Sequence, residues 1–90
     1  MTVFFADLDR TLIYSTDALG LREPDHEELP LVCVEMYRGQ PASFVTEVAA
    51  KGIGRLLQDD ALVPVTTRSV EQYRRVRLPG PLPGLALVAN

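Results

Sequence analysis

Apolar positions fall into separate runs along this chain, and the spacing within each run predicts an element. Val3, Phe4 and Phe5 form an almost unbroken β-prone run that stops at Asp7 and Asp9. Such a run suits a short strand of a parallel sheet buried on both faces. Leu31 to Arg38, LVCVEMYR, is rich in β-formers, and Gly39, Gln40 and Pro41 turn the chain before Ala42 to Val45. This predicts a short β-hairpin or flap. Val45, Val48, Ala49, Ile53, Leu56 and Leu57 recur at intervals of three and four, the mark of a helix with one apolar face, with Ser43 or Thr46 as its cap. Gly52 and Gly54 weaken that helix by roughly 1 kcal/mol each and permit close packing on a sheet. Ala61 to Val65 reads as a second buried strand, with Thr66, Thr67 and Arg68 emerging from its end. Ser69 and Gln72 have the spacing of a capping box opening a helix from Val70 that carries Arg74, Arg75 and Arg77, until LPGPLPG ends it. Leu85 to Ala89 reads as a third buried strand. Strand, helix, strand, helix, strand predicts an α/β fold.

Residues 15–30 lack periodicity. Ser15, Thr16, Asp17, Gly20, Pro24 and Pro30 punctuate them, and Glu23, Asp25, Glu27 and Glu28 make them acidic, so a solvated loop or lid is expected. His26 within it reads as a solvent-facing histidine, because no second His or Cys stands at ligand spacing. Ninety residues allow one small domain, and 47% hydrophobic with 23% charged residues is a globular balance. A net charge of -3 argues against a general nucleic-acid binder. No apolar run approaches the ~20 residues of a membrane span. The single cysteine, Cys33, forms no internal disulfide and is expected at a core or flap-packing position. Without a signal-like start, a cytoplasmic location is expected.

Candidate chemistry begins where the first run stops. Asp7 and Asp9 stand at the C-terminal end of the first strand, the edge at which open α/β sheets bind ligands. Like charges so close raise each other's pKa unless compensated, and a hard divalent cation such as Mg2+ is the usual oxygen-liganded remedy. Asp59 and Asp60 precede a strand and so belong at the opposite edge, as loop solvation. Thr66 and Thr67 before a helix start have the chemistry of a phosphate cradle, although hydroxyl residues also stand there for structural reasons alone.

The residues DLDRTL and VPVTTRS resemble the haloacid dehalogenase-like (HAD) superfamily of phosphotransferases and phosphatases. The family's first motif, Asp-x-Asp-x-Thr/Val at the end of a strand, is matched by Asp7, Asp9 and Thr11. Its second, a Thr or Ser at the end of the next core strand, is matched by Thr66. Arg68 is similar to the arginine of the Thr-Gly-Arg of the sugar-phosphatase-like branch, with Thr67 in place of glycine, and LVAN at the terminus looks like the beginning of its Asn-Gly.

The resemblance implies a Rossmann-like three-layer sandwich with a mostly parallel sheet, incomplete here, with residues 1–90 as the N-terminal part of the core domain and 15–45 as loop and hairpin flap. It implies an Mg2+-dependent phosphatase acting through an aspartyl-phosphate on a small phosphorylated metabolite, such as a sugar phosphate. Asp7 is then the nucleophile and Asp9 the acid/base, with Mg2+ on the Asp7 carboxylate and the Asp9 backbone carbonyl. Thr66, with Thr67 and Arg68, contacts phosphate or substrate, and Thr11 braces the loop. For Arg68 a structural contact is equally expected. The family's lysine, later acidic motif and cap are expected from a missing C-terminal segment or another chain. The isolated 90 residues are therefore expected to turn over little. The alternative is a non-catalytic regulatory or protein-interaction domain that keeps the fold.

Overall fold

The computed structural model describes residues 2–15 and 30–89, and the expected acidic loop with His26 lies outside the described residues. In chain order the elements are β1 (Phe4–Asp7), β2 (Leu31–Tyr37), β3 (Gln40–Thr46), α1 (Glu47–Gln58), β4 (Leu62–Ser69), α2 (Val70–Tyr73) and β5 (Leu87–Ala89). The fold is α/β. A three-stranded parallel sheet has the order β1-β4-β5, and β2 with β3 forms a separate antiparallel hairpin. Among the described residues no helix is long and apolar enough to cross a membrane.

The expected hairpin forms, and the first helix forms from Glu47, after Val45, which belongs to β3; Val48, expected on its apolar face, is 82% exposed. Arg38 and Gly39, with φ of 52° and 77°, make the tight link between β2 and β3. Positive φ at both central residues matches the right-handed twist of paired strands. Thr46 caps α1, its hydroxyl accepting from the Ala49 N–H at 3.1 Å. The helix buries Ile53 and Leu57, which join Leu8, Ile13, Val34, Val45, Leu62 and Val76 in one core. Gly54 packs closely, but on the loop after α2 instead of on a sheet. Gly80 crosses it with φ of 107°, and a Cβ on Gly80 would lie 3.0 Å from the Gly54 Cα.

Several expectations change. Val3, Phe4 and Phe5 are exposed, with Phe5 at 63%, instead of buried on both faces. Among the described residues β1 pairs only with β4 and stands at the sheet edge, while β4 lies between two neighbours and buries Leu62, Val63 and Pro64. β5 begins at Leu87, which is exposed, and Val88 and Ala89 are only half-buried. The second helix is a single turn that ends at Tyr73, leaving Arg75 and Arg77 beyond it. The hairpin draws this segment away: Val76 bridges to Glu35, and the Arg77 N–H donates to the Val34 carbonyl at 2.6 Å. Cys33 is exposed, not packed in the core. An irregular register between Cys33 and Glu35 breaks the usual alternation, and the consecutive residues Val34 and Glu35 are both buried.

Candidate functional site

Alternation decides what Asp7 and Asp9 can do. In the sequence Asp7-Leu8-Asp9, Leu8 is completely buried and both aspartates are exposed, as residues two apart on one extended face should be. Leu8 continues the β1 ladder, its N–H donating to the Val65 carbonyl at 2.9 Å. Its own carbonyl accepts from Leu12 and Ile13, at 3.0 and 2.9 Å, which folds the chain into a tight turn anchored by the buried Ile13. Arg10 occupies the left-handed region of that turn, with φ of 64°. Thr11 is exposed on the same turn, and its N–H reaches the Leu8 carbonyl at 3.4 Å.

The parallel register places Asp7 beside Val65, so Thr66 follows immediately on the neighbouring strand at the same sheet edge. Thr66, Thr67 and Arg68 belong to β4 itself, within an irregular stretch where Val65 pairs with Leu87 and Ser69 with Ala89. Four steps along β4 thus match two along β5. A bulge of this kind redirects side chains. The half-buried Thr66 accepts from the Arg68 N–H at 3.0 Å through its hydroxyl oxygen, while Thr67 is exposed. Ser69 and Gln72 form the expected capping box on α2. With only four residues, α2 offers little dipole for an anion.

Arg68 ties the sheet edge to the hairpin. Its Nε and Nη2 donate to the two Asp9 carboxylate oxygens at 3.0 and 2.8 Å. Nη1 and Nη2 donate to the two oxygens of Glu35 at 2.6 and 3.0 Å, and Nη1 also reaches the Gln72 carbonyl at 3.4 Å. All five guanidinium N–H groups are therefore engaged. Glu35, 3% exposed, also accepts from the Ser43 hydroxyl at 2.7 Å and from Arg75 Nε at 3.2 Å. Burial pushes the Glu35 carboxyl upward, but the hydrogen bonds from Arg68 and Ser43, the Arg68 charge and the Arg75 bond outweigh it, and its pKa lies below the ordinary value. The same contacts with Glu35 and Asp9 hold Arg68 firmly protonated.

The sequence-predicted residues Asp7, Asp9, Thr66 and Arg68 thus gather at one edge. Glu35, Ser43 and Arg75 were not foreseen. The available signal was an acidic residue inside an apolar β run, Val34-Glu35-Met36, since an unpaired carboxylate in such a place is costly. A cleft of about 260 Å³ opens beside Asp9, bordered by Arg10, Glu35, Tyr37, Arg68 and Arg75 among others. The Arg75 guanidinium lies 4.5 Å from the centre of the Tyr37 ring.

For a divalent cation the donors at this edge are the exposed Asp7 carboxylate and the Asp9 backbone carbonyl; the Asp9 side chain is turned to Arg68. Among the described residues no group of three or more His, Cys, Asp or Glu could hold a metal. One carboxylate and one carbonyl fit Mg2+ only as a partial set, of the kind completed by water and substrate phosphate. No family model and no curated protein matches the chain.

Proposed function

We propose that this chain carries the nucleophile-bearing part of an Mg2+-dependent phosphomonoester hydrolase of the HAD type, built on a Rossmann-like core and acting on a small phosphorylated metabolite. The observation that supports it is the meeting of Asp7, Asp9 and Thr66 at the C-terminal edge of two adjacent parallel strands. In this reading an Asp7 oxygen attacks phosphorus while the bond to the leaving oxygen breaks, and Asp9 gives that oxygen a proton. Asp9 then takes a proton from the water that attacks the aspartyl-phosphate, releasing phosphate and restoring the Asp7 carboxylate. The Thr66 hydroxyl donates to a phosphoryl oxygen. Mg2+, held by the Asp7 carboxylate and Asp9 carbonyl, would supply charge neutralisation between carboxylate and phosphate. Arg68 has no spare donor, so its role is to orient Asp9, and it must loosen its hold when Asp9 exchanges a proton.

Hydrolysis of para-nitrophenyl phosphate with Mg2+ tests this reading in a form of the protein to which a segment supplying the family's lysine and later acidic motif has been added. Asp7→Asn is expected to abolish turnover; unchanged turnover would remove Asp7 as nucleophile. The 90 residues alone are expected to be nearly inactive, since their one lysine, Lys51, is exposed on α1, away from the sheet edge in sequence and element. A second reading, a non-catalytic interaction domain, draws support from the closure of both Asp9 oxygens by Arg68. Absence of hydrolysis from the extended chain, together with a stable complex with a partner protein, would favour it.

A further inference from the structure

The cleft beside Asp9 has a charge and hydrogen-bonding balance that the hydrolytic reading does not use. The whole chain is acidic, at -3, yet three arginines border this cleft against two carboxylates. The carboxylates are already satisfied. Both Asp9 oxygens accept from Arg68, and the Glu35 oxygens accept from Arg68, Ser43 and Arg75. The donors are in excess. Among the described residues no acceptor takes the Arg10 guanidinium, and Arg75 is bonded only through Nε. The Arg75 guanidinium is steadied by the face of Tyr37, and the Arg10 backbone by its N–H bond to the Ile13 carbonyl at 2.8 Å. Among the described residues, the whole Arg10 guanidinium, on the tight turn, and the two Nη groups of Arg75, against the Tyr37 ring, are left to donate, and paired N–H groups of this kind match the geometry of carboxylate or phosphate.

We infer that this cleft binds a second oxyanion, a carboxylate or a further phosphate, carried by the leaving group of the substrate and gripped by Arg10 and Arg75. The location follows from Asp9, which borders the cleft and in the proposed function delivers the proton to the leaving oxygen. To that extent the inference rests on the phosphatase reading. At about 260 Å³ the cleft suits a leaving group of only a few carbons.

Binding to the 90-residue chain, followed by amide shifts in NMR titration, provides the test without turnover. The probes are 2-phosphoglycolate, ethyl phosphate, ethylene glycol bisphosphate and inorganic phosphate. Either ester that carries a second oxyanion group is expected to bind at least about tenfold tighter than ethyl phosphate, as a charge-assisted hydrogen bond provides. The preference should weaken with salt. The bisphosphate and phosphoglycolate arms assign the oxyanion as phosphate or carboxylate by which binds better. R10G, whose glycine accepts the positive φ without strain, is expected to bring the preference close to unity, and R75Q to reduce it. Equal binding of ethyl phosphate and both esters that carry a second oxyanion overturns the inference, as does a preference that survives both substitutions. Inorganic phosphate matching phosphoglycolate in affinity and in the amides shifted would also overturn it, by making the cleft the seat of the reacting phosphate. These are affinity ratios, so they fail separately from the nucleophile assignment, which the Asp7→Asn assay decides.

Discussion

Glu35 is the residue on which the polar interior depends. Its carboxylate is nearly inaccessible, and it is shared by two arginines and a serine. Removing one partner of a buried ion pair leaves the others short of an acceptor, a loss of about 3 kcal/mol at the lower end of the usual range because both arginines keep some contact with water. We expect E35Q to lose about that much in urea unfolding near neutral pH. The pH dependence has a definite sign. The folded-state pKa of Glu35 is lowered from 4.5, so the folded protein binds this proton less readily than the unfolded chain. The stabilisation is complete above the unfolded value and is lost as pH falls through the folded one. Unfolding measured from pH 6 down to pH 3 should show this acid limb in the wild type and a smaller one in E35Q. Equal limbs in both would assign the acid sensitivity to other carboxylates.

At the scale of elements, exposure of β1 gives a substitution test that separates what the sequence pattern predicts from what the fold does. A phenylalanine buried in a core costs about 3 to 5 kcal/mol when truncated, whereas a surface change away from special contacts costs about 0.5 kcal/mol or less. Phe5 is largely exposed and Leu8 completely buried. F5S should therefore shift the unfolding midpoint slightly, and L8A should cost about 2 to 5 kcal/mol. The hairpin, α1 with its Thr46 cap and the Ser69–Gln72 box were legible because turn chemistry and helical spacing are local. The burial of β1 was not, since an apolar run reports what a strand prefers and not how many neighbours it obtains. The shortness of α2 was hidden for the same reason: Val76 and Arg77 leave the helix for β2, a partner some forty residues earlier. At the site, the closeness of Asp7, Asp9 and Thr66 could be read from two neighbouring strands, although Thr66 lies within β4 and not at its end. For Arg68 a structural contact was expected on equal terms with a substrate one, but its acceptors could not be named, because Asp9 lies in the turn after β1 and Glu35 on β2.

For the molecule as a whole, the two sheets do not behave as separate layers. Val34 and Val45 from the hairpin share one core with Leu8, Ile13, Leu62 and the α1 residues Ile53 and Leu57. Tyr14 and Phe44 exchange backbone hydrogen bonds at 2.9 and 2.8 Å, and Arg68 spans from the parallel sheet to β2. A chain this small with one shared core should unfold in a single cooperative step. We expect NMR signals of Val34 in β2 and Val63 in β4 to disappear at the same urea midpoint, coincident with the loss of helical circular dichroism. E35Q provides the sharper form of the test. With a common core, loss of the ion network lowers both midpoints together; if the hairpin were held mainly by Arg68, its signals would vanish first while Val63 kept the wild-type midpoint. Coincident shifts would establish that apolar packing joins the sheets and that the Glu35 network adds stability to the whole. Separate midpoints would instead make the hairpin an independently opening flap over the Asp9 cleft, with Arg68 as its latch.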